Sequence, residues 1–285
     1  MPTAITDFWV NAVDPRRFLS DMAWIGGQAA TPPGLLANGS FSAAKLIDDN
    51  VAIMDRLGIG RSVLNTGLMA DGHAIDEPSV EQLLELTEPH ADRFLLAAMP
   101  DCARDPVGQS SRVRELAMHP RMVLLRVVPM LEQVPINDRL FYPLYTACAE
   151  VGLVVSINVG LPGYAVRDAC QHPELLPDVL CDFPGLSVVA AHMGHPYEAL
   201  LVAYMRRWPN LRLATTMFWP RDIATVIRDF MARDGRGRII WGSDMPALDS
   251  AANLAEVDLL DLDDASRAEY LGGAWDAALA LAKDH

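Results

Sequence analysis

Positive charge is scarce in this sequence. Among 285 residues there are 23 lysines and arginines against 37 aspartates and glutamates, a formal net charge of −14. A field of that sign repels phosphate backbones and anionic membrane surfaces, which excludes nucleic acid and membranes as partners and leaves a small-molecule substrate as the expected one. Cysteine is also sparse. Cys102, Cys148, Cys170 and Cys181 are scattered with no C-x-x-C spacing, so a paired-thiol redox or zinc motif is excluded and the four read as free thiols packed as small hydrophobes. No apolar run reaches transmembrane length, and no basic segment followed by an apolar stretch opens the chain, so a cytoplasmic protein is expected. No G-x-G-x-x-G follows any strand-like run, which argues against a doubly wound dinucleotide fold. Short-period repeats, low-complexity tracts and dividing linkers are absent too, so residues 1–285 are read as one domain.

What is present is apolar and periodic. Hydrophobic residues make up 51% of the chain, enough for a large core. Eight short apolar runs recur, at 5–12, 62–67, 94–100, 122–129, 154–160, 187–194, 211–216 and 239–246. Segments of helical periodicity lie between them, such as FSAAKLIDDNVAIMDRLG, FYPLYTACAEVG and PRDIATVIRDFMARDG. Gly58, Gly152 and Gly235 are placed to end those helices. Eight strands alternating with helices predict an α/β protein with a closed (β/α)8 TIM barrel. The stretch from about 14 to 41 is too long for an ordinary loop after the first strand, and is expected to lid one side of the mouth.

Chemistry in such a barrel sits at the C-terminal ends of the strands. The polar residues there are Trp9 and Asn11, Asn65, Asp101, Arg126, Asn158, His192 and His195, Thr215 and Thr216, and Ser243 and Asp244. His192 interrupts an apolar run near its end and is the natural general acid or base. His195 precedes a proline and a helix start, so it reads equally as a substrate contact or a turn residue. Asp244 in GSDMP follows an almost wholly apolar run, where a carboxylate needs a partner, a ligand or a metal. Arg126 inside LLRVV needs an anion, either Asp101 or a substrate carboxylate. Trp9, Met193, Met217, Phe218, Trp219 and Met245 crowd the same ends and predict a dry, partly aromatic pocket, with Trp9 and Trp219 among the substrate contacts.

The segments FYPLYTACAEVGLVVSINVGLPG, LLPDVLCDFPGLSVVAAHMGHPYEALLVAYMRRWPNLRLATT and GRIIWGSDMP resemble the amidohydrolase-related family, the amidohydrolase 2 branch of the metal-dependent hydrolase superfamily. The resemblance is densest over 140–247. It implies a metal-dependent-hydrolase-like barrel, and it implies hydrolysis of lactones or decarboxylation of aromatic and related acids. The family's first strand ends D-x-H-x-H, which falls on Asp7, Trp9 and Asn11, so both histidine ligands are replaced. The family's strand 5 histidine falls on Asn158, a third replacement. The strand 6 histidine is kept as His192 and the strand 8 aspartate as Asp244. A homodimer is the assembly the resemblance implies.

Tryptophan offers no metal-ligating atom, so no metal and no other cofactor are expected; a hard cation on Asp244, Asn11 and Asn158 with waters is the alternative. The loss constrains the reaction. A catalytic metal lowers the pKa of bound water from about 15.7 to about 7, on the order of 12 kcal/mol of nucleophile activation. The leading expectation is therefore a metal-independent enzyme that hydrolyses, decarboxylates or cleaves a C–C bond in a small cyclic or aromatic carboxylate or carbonyl compound. His192 and Asp244 are its catalytic pair; Trp9, Asn11, Arg126, Asn158, His195 and Trp219 bind substrate. Two rivals are a metal-dependent hydrolase with a rearranged site, and a catalytically inactive barrel that binds a small molecule or supports a partner.

Overall fold

The computed structural model describes residues 4–16, 42–66, 78–101, 104–161 and 166–284. Most of the expected lid, residues 17–41, and Cys102 lie outside the described residues. Eight parallel strands form one sheet in chain order: β1 Ile5–Asn11, β2 Ile59–Asn65, β3 Phe94–Ala98, β4 Met122–Val127, β5 Val154–Asn158, β6 Val188–Ala191, β7 Leu211–Ala214 and β8 Ile239–Ile240. The principal helices between and after them are α1 Ala43–Leu57, α2 Val80–Leu86, α3 Pro106–Leu116, α4 Tyr142–Val151, α5 Leu176–Asp182, α6 Glu198–Arg207, α7 Thr225–Met231 and α8 Ala274–Lys283. This is the expected (β/α)8 barrel.

Local chemistry sets the helix ends. In α1 the Ser42 side chain accepts from the Lys45 N–H, and Gly58 closes the helix at φ 68° with its N–H on Met54 O; both use the residue types that such caps favour. Leu46, Ile47, Asn50 and Met54 form its buried face, a spacing that turns one stripe toward the sheet. Gly152 ends α4 in the same way, at φ 73°. Gly235 does not: α7 stops at Met231 with Ala232 as its cap, and the left-handed residue before β8 is Gly237, at φ 75°. Gly235 instead packs against the Phe230 ring, so close that a Cβ there would overlap it.

The apolar residues divide into two layers. Leu64, Leu96, Leu125, Val155, Ile157, Val188, Leu213 and Ile239 face the helices, while Phe8, Trp9, Val63, Ala97, Leu124, Val154, Val189, Ala191, Ala214 and Ile240 fill the barrel interior. Helix α8 joins the interior cluster through Trp275, Ala278 and Ala282. It seals the end where the strands begin: Ser187, just before β6, donates to Ala278 O, and Arg61 in β2 pairs with Asp276. The opposite end, where the strands finish, remains as the mouth.

Strand β8 is short for a reason that bears on the site. After Ile240 the chain leaves the ladder with β7, and Trp241 donates its N–H to Tyr270 O. Residues 241–245 turn instead to β1, where Phe8 N bonds Trp241 O at 3.4 Å, Asp244 N bonds Trp9 O at 3.0 Å and Asn11 N bonds Met245 O at 2.8 Å. These bonds close the ring, and the seam they make runs through Trp9, Asn11 and Asp244. Among the described residues, Cys148 and Cys170 are buried free thiols and Cys181 is an exposed one, and no helix is long and apolar enough to cross a membrane.

Candidate active site

The mouth is shaped by abrupt strand endings. His192 follows β6 at φ 58°, Met217 follows β7 at φ 69° and Asp244 follows β8 at φ 61°. A left-handed backbone at a non-glycine residue costs on the order of 1 kcal/mol or more, and such strain gathers where a side chain must be aimed. Two of these three residues are the predicted catalytic pair. Behind them, buried Asp7 accepts from Ser243 Oγ at 2.6 Å, Ser243 N at 2.9 Å and Trp9 N at 3.3 Å. Ser243 Oγ in turn receives the Met245 N–H at 3.1 Å. Asp7 thus ties the end of β1 to the turn that presents Asp244. Burial pushes the Asp7 carboxyl up to about 6, against the bonds from Ser243 and Trp9 that favour its charge.

His192 Nδ1 lies 2.9 Å from Thr216 Oγ1 and 3.4 Å from Asp244 Oδ2. Burial, and then the nearby charge of Arg126, pull the imidazole down to about 3, so it is neutral at physiological pH. Its side chain keeps 22% of its surface exposed toward the mouth. Burial raises Asp244 to about 6, while the hydrogen bond from Asn11 and the charge of Arg126 hold it down. At neutral pH the pair is therefore a carboxylate and a neutral imidazole. We assign the ring proton to Nδ1, which lies beside the Asp244 carboxylate. Nε2 then carries the lone pair, and among the described residues nothing hydrogen-bonds to it.

Asn11 is satisfied within the protein. Its Oδ1 accepts the Trp9 indole N–H at 3.1 Å and Arg126 NH1 at 3.4 Å, and its Nδ2 donates to Asp244 Oδ1 at 2.7 Å and Met245 O at 3.1 Å. That uses both donors and both lone pairs of the amide. Trp9 is buried, with the Arg126 guanidinium 3.9 Å from its ring centroid and the His192 ring meeting it edge-on at 5.0 Å. Asn158 is buried at the end of β5, and among the described residues its Oδ1 has no hydrogen-bond partner.

The remaining predicted residues have partners of their own. His195 holds buried Glu198 through Nδ1 at 2.6 Å, with 54% of its own side chain exposed; its carbonyl accepts the Leu161 N–H, a turn arrangement. Trp219 is packed beneath Arg221, whose guanidinium is 4.6 Å from the ring centroid. Asp101 accepts from the Arg104 N–H, and among the described residues no ion pair joins it to Arg126. Thr216, read in the sequence only as one polar strand end among many, is the residue that engages the His192 ring. Asp7 was visible as the first residue of the family motif, but its clamp on Ser243 depends on the first strand meeting the last, which no local pattern shows.

The donors among the described residues do not fit the family's divalent ion. Among the described residues no three His, Cys, Asp or Glu side chains form a metal-holding group. At the two β1 positions stand an indole N–H, which only donates, and an amide oxygen already facing two donors. A guanidinium lies beside both. A cation held by Asp244, Asn11 and Asn158 would need the Asn11 oxygen turned away from its present partners and toward Asp244, which now receives the Asn11 NH2.

Fold and mouth together define a (β/α)8-barrel protein with a histidine–carboxylate pair at the strand ends. A family model described as amidohydrolase matches residues 60–274, and the chain belongs to the amidohydrolase family. A search of the curated proteins finds no match. Among solved structures, an uncharacterized TIM-barrel protein from Bordetella bronchiseptica aligns with TM-score 0.80 at 18% identity, covering 98% of this chain and 99% of its own. A dihydroxybenzoic acid decarboxylase from a Polaromonas species, solved with bound manganese and an inhibitor, aligns with TM-score 0.68 at 14% identity, covering 98% and 97%. A probable 2-pyrone-4,6-dicarboxylic acid hydrolase from Acinetobacter baumannii aligns with TM-score 0.63 at 12% identity, covering 98% and 100%. At these identities the likeness is one of fold.

Proposed function

We infer that this protein is a metal-independent enzyme of the amidohydrolase family that hydrolyses, decarboxylates or cleaves a C–C bond in a small cyclic or aromatic carboxylate or carbonyl compound. The observation that carries the reading is the pairing of His192 with Asp244, which sets a neutral imidazole, its Nε2 unbonded among the described residues, beside a carboxylate in a strained mouth. Nε2 takes a proton from water or from a substrate hydroxyl. The Asp244 carboxylate, 3.4 Å from Nδ1, stabilises the imidazolium that forms, and the proton is returned to the leaving group or to the substrate carbon. Arg126 anchors the substrate's anionic group, and Asn158 Oδ1 accepts a hydrogen bond from a substrate donor.

The low basicity of His192 has a remedy in the same geometry. Arg126 is the second cause of its depression, so an anion bound to the guanidinium cancels part of that charge and raises the affinity of Nε2 for a proton. Substrate binding and base activation are then one event. The similarity of the fold to a dihydroxybenzoic acid decarboxylase and a probable pyrone dicarboxylic acid hydrolase supports the choice of substrate class.

The test is a panel of lactones, activated esters, phenolic acids and β-keto acids, run on purified protein after chelator treatment and elemental analysis. Turnover that survives chelation without stoichiometric metal, and falls about 10²- to 10⁴-fold in His192→Asn and Asp244→Asn, is the expected result. Activity that vanishes with the chelator and returns with manganese or zinc overturns metal independence. Wild-type rates in both variants overturn the residue assignment.

A further inference from the structure

Trp9 and Asn11 are arranged to hold a cation of the protein's own. The two side chains are joined by the indole N–H to Oδ1 bond at 3.1 Å, and they meet the same guanidinium: its carbon lies 3.9 Å from the Trp9 ring centroid, and NH1 donates to Asn11 Oδ1 at 3.4 Å. The Asn11 amide has no freedom to turn. A flip would set its NH2 against the indole N–H and the guanidinium, and would leave its oxygen facing Asp244 Oδ1 and Met245 O. Trp9 is likewise fixed, because its ring shares the barrel interior with Ala97, Ala191 and Ala214, whose small side chains leave room for an indole. A flat π face beside a fixed oxygen acceptor suits a planar, weakly hydrated guanidinium better than an ammonium.

We propose that Trp9 and Asn11 are positioning residues that form a seat for the Arg126 guanidinium, so that the chain's own side chain supplies the positive charge at this end of the barrel in place of a bound metal ion. The two β1 positions that the family resemblance assigns to histidine ligands hold an arginine from β4. The inference deepens the reading of Arg126 as the anchor for an anionic substrate, and accounts for a donor set that does not fit a divalent ion.

The test needs no substrate. Arg126→Ala empties the seat, and full-length wild type, Arg126→Ala and the double variant Trp9→Leu/Arg126→Ala are titrated calorimetrically with ethylguanidinium, with ethylammonium at equal ionic strength as the control. Arg126→Ala is expected to bind ethylguanidinium about tenfold or more tightly than either other protein does, and to discriminate against ethylammonium. Binding by Arg126→Ala no better than by wild type, or undiminished by Trp9→Leu, overturns the proposal. Should Arg126→Ala fail to fold by circular dichroism, urea unfolding of Arg126→Lys, Trp9→Leu and their combination replaces it. A coupling factor of about 2- to 30-fold in the unfolding equilibrium constant is expected, and additive effects overturn the seat. Neither readout depends on turnover, so an inactive protein with an intact seat refutes the proposed function alone.

Discussion

Asp244→Asn should make the folded protein more stable at neutral pH while removing its chemistry. The substitution keeps the shape of the side chain, and asparagine tolerates the left-handed backbone that residue 244 adopts at φ 61° better than most residues do. Burial lifts the Asp244 carboxyl from an ordinary 3.8 to about 6. At 1.36 kcal/mol per pH unit, ionising it in the native state therefore costs about 3 kcal/mol more than ionising it in the unfolded chain. That figure already contains the favourable charge of Arg126 and the bond from Asn11, which oppose the shift. Burying the replacement amide returns part of the gain, so a net stabilisation of about 1–2 kcal/mol remains, a rise of a few degrees in the melting temperature for a chain of this length. The pH dependence is the sharper part. Below 3.8 the carboxyl is protonated in both states and the variant should be the less stable protein by the burial cost of its amide, about 1–2 kcal/mol; the balance moves toward the variant by about 3 kcal/mol as pH rises from there to about 6, and is constant above. Urea unfolding of both proteins between pH 4 and pH 8 measures it. A variant less stable than wild type at pH 8, or an advantage that does not shrink toward pH 4, would refute the claim that desolvation dominates at this carboxylate.

Asn158 offers a parallel trade. Its buried Oδ1 lacks a hydrogen-bond partner among the described residues, so Asn158→Leu should leave stability unchanged or raise it by about 1 kcal/mol, while weakening binding of any substrate found in the panel; thermal unfolding and calorimetric titration read the two effects separately. Gly160 adopts φ 86°, and a Cβ there would come within 2.5 Å of backbone atoms of Gly194 and His195. Gly160→Ala should therefore cost about 2 kcal/mol or more, seen as a lowered denaturation midpoint.

The barrel was legible because its signals are local. Alternating strand-like runs and amphipathic helices are written in consecutive residues, and glycines such as Gly58 and Gly152 mark helix ends at φ values other residues avoid. Gly235 misled because a glycine is also demanded by close packing, here against Phe230, and only the fold distinguishes the two needs. The run at 239–246 read as a full strand, yet β8 has two residues in the ladder, since its second half serves the seam with β1. Within the site, His192 and Asp244 stood out as polar groups inside apolar runs. The roles of Trp9 and Asn11 did not, because they depend on contact with Arg126, 115 positions from Asn11 along the chain. The split between His195, held by Glu198, and His192, aimed into the mouth, also lay beyond reading: it turns on a backbone reversal at residues 192–194.

The seam between β1 and residues 241–245 ties the order of assembly to the possession of a working site. Asn11 and Asp244 are separated by 233 positions, so a growing chain exposes β1 long before its last partner is made, and contacts of that span are late and entropically demanding to form. A fragment ending before residue 241 retains Asp7, Trp9, Asn11, Arg126 and His192 but neither closes the ring nor holds Asp244. If Asp244 acts as proposed, chemistry begins only in a molecule whose first and last strands have met, which makes activity itself a report of complete folding.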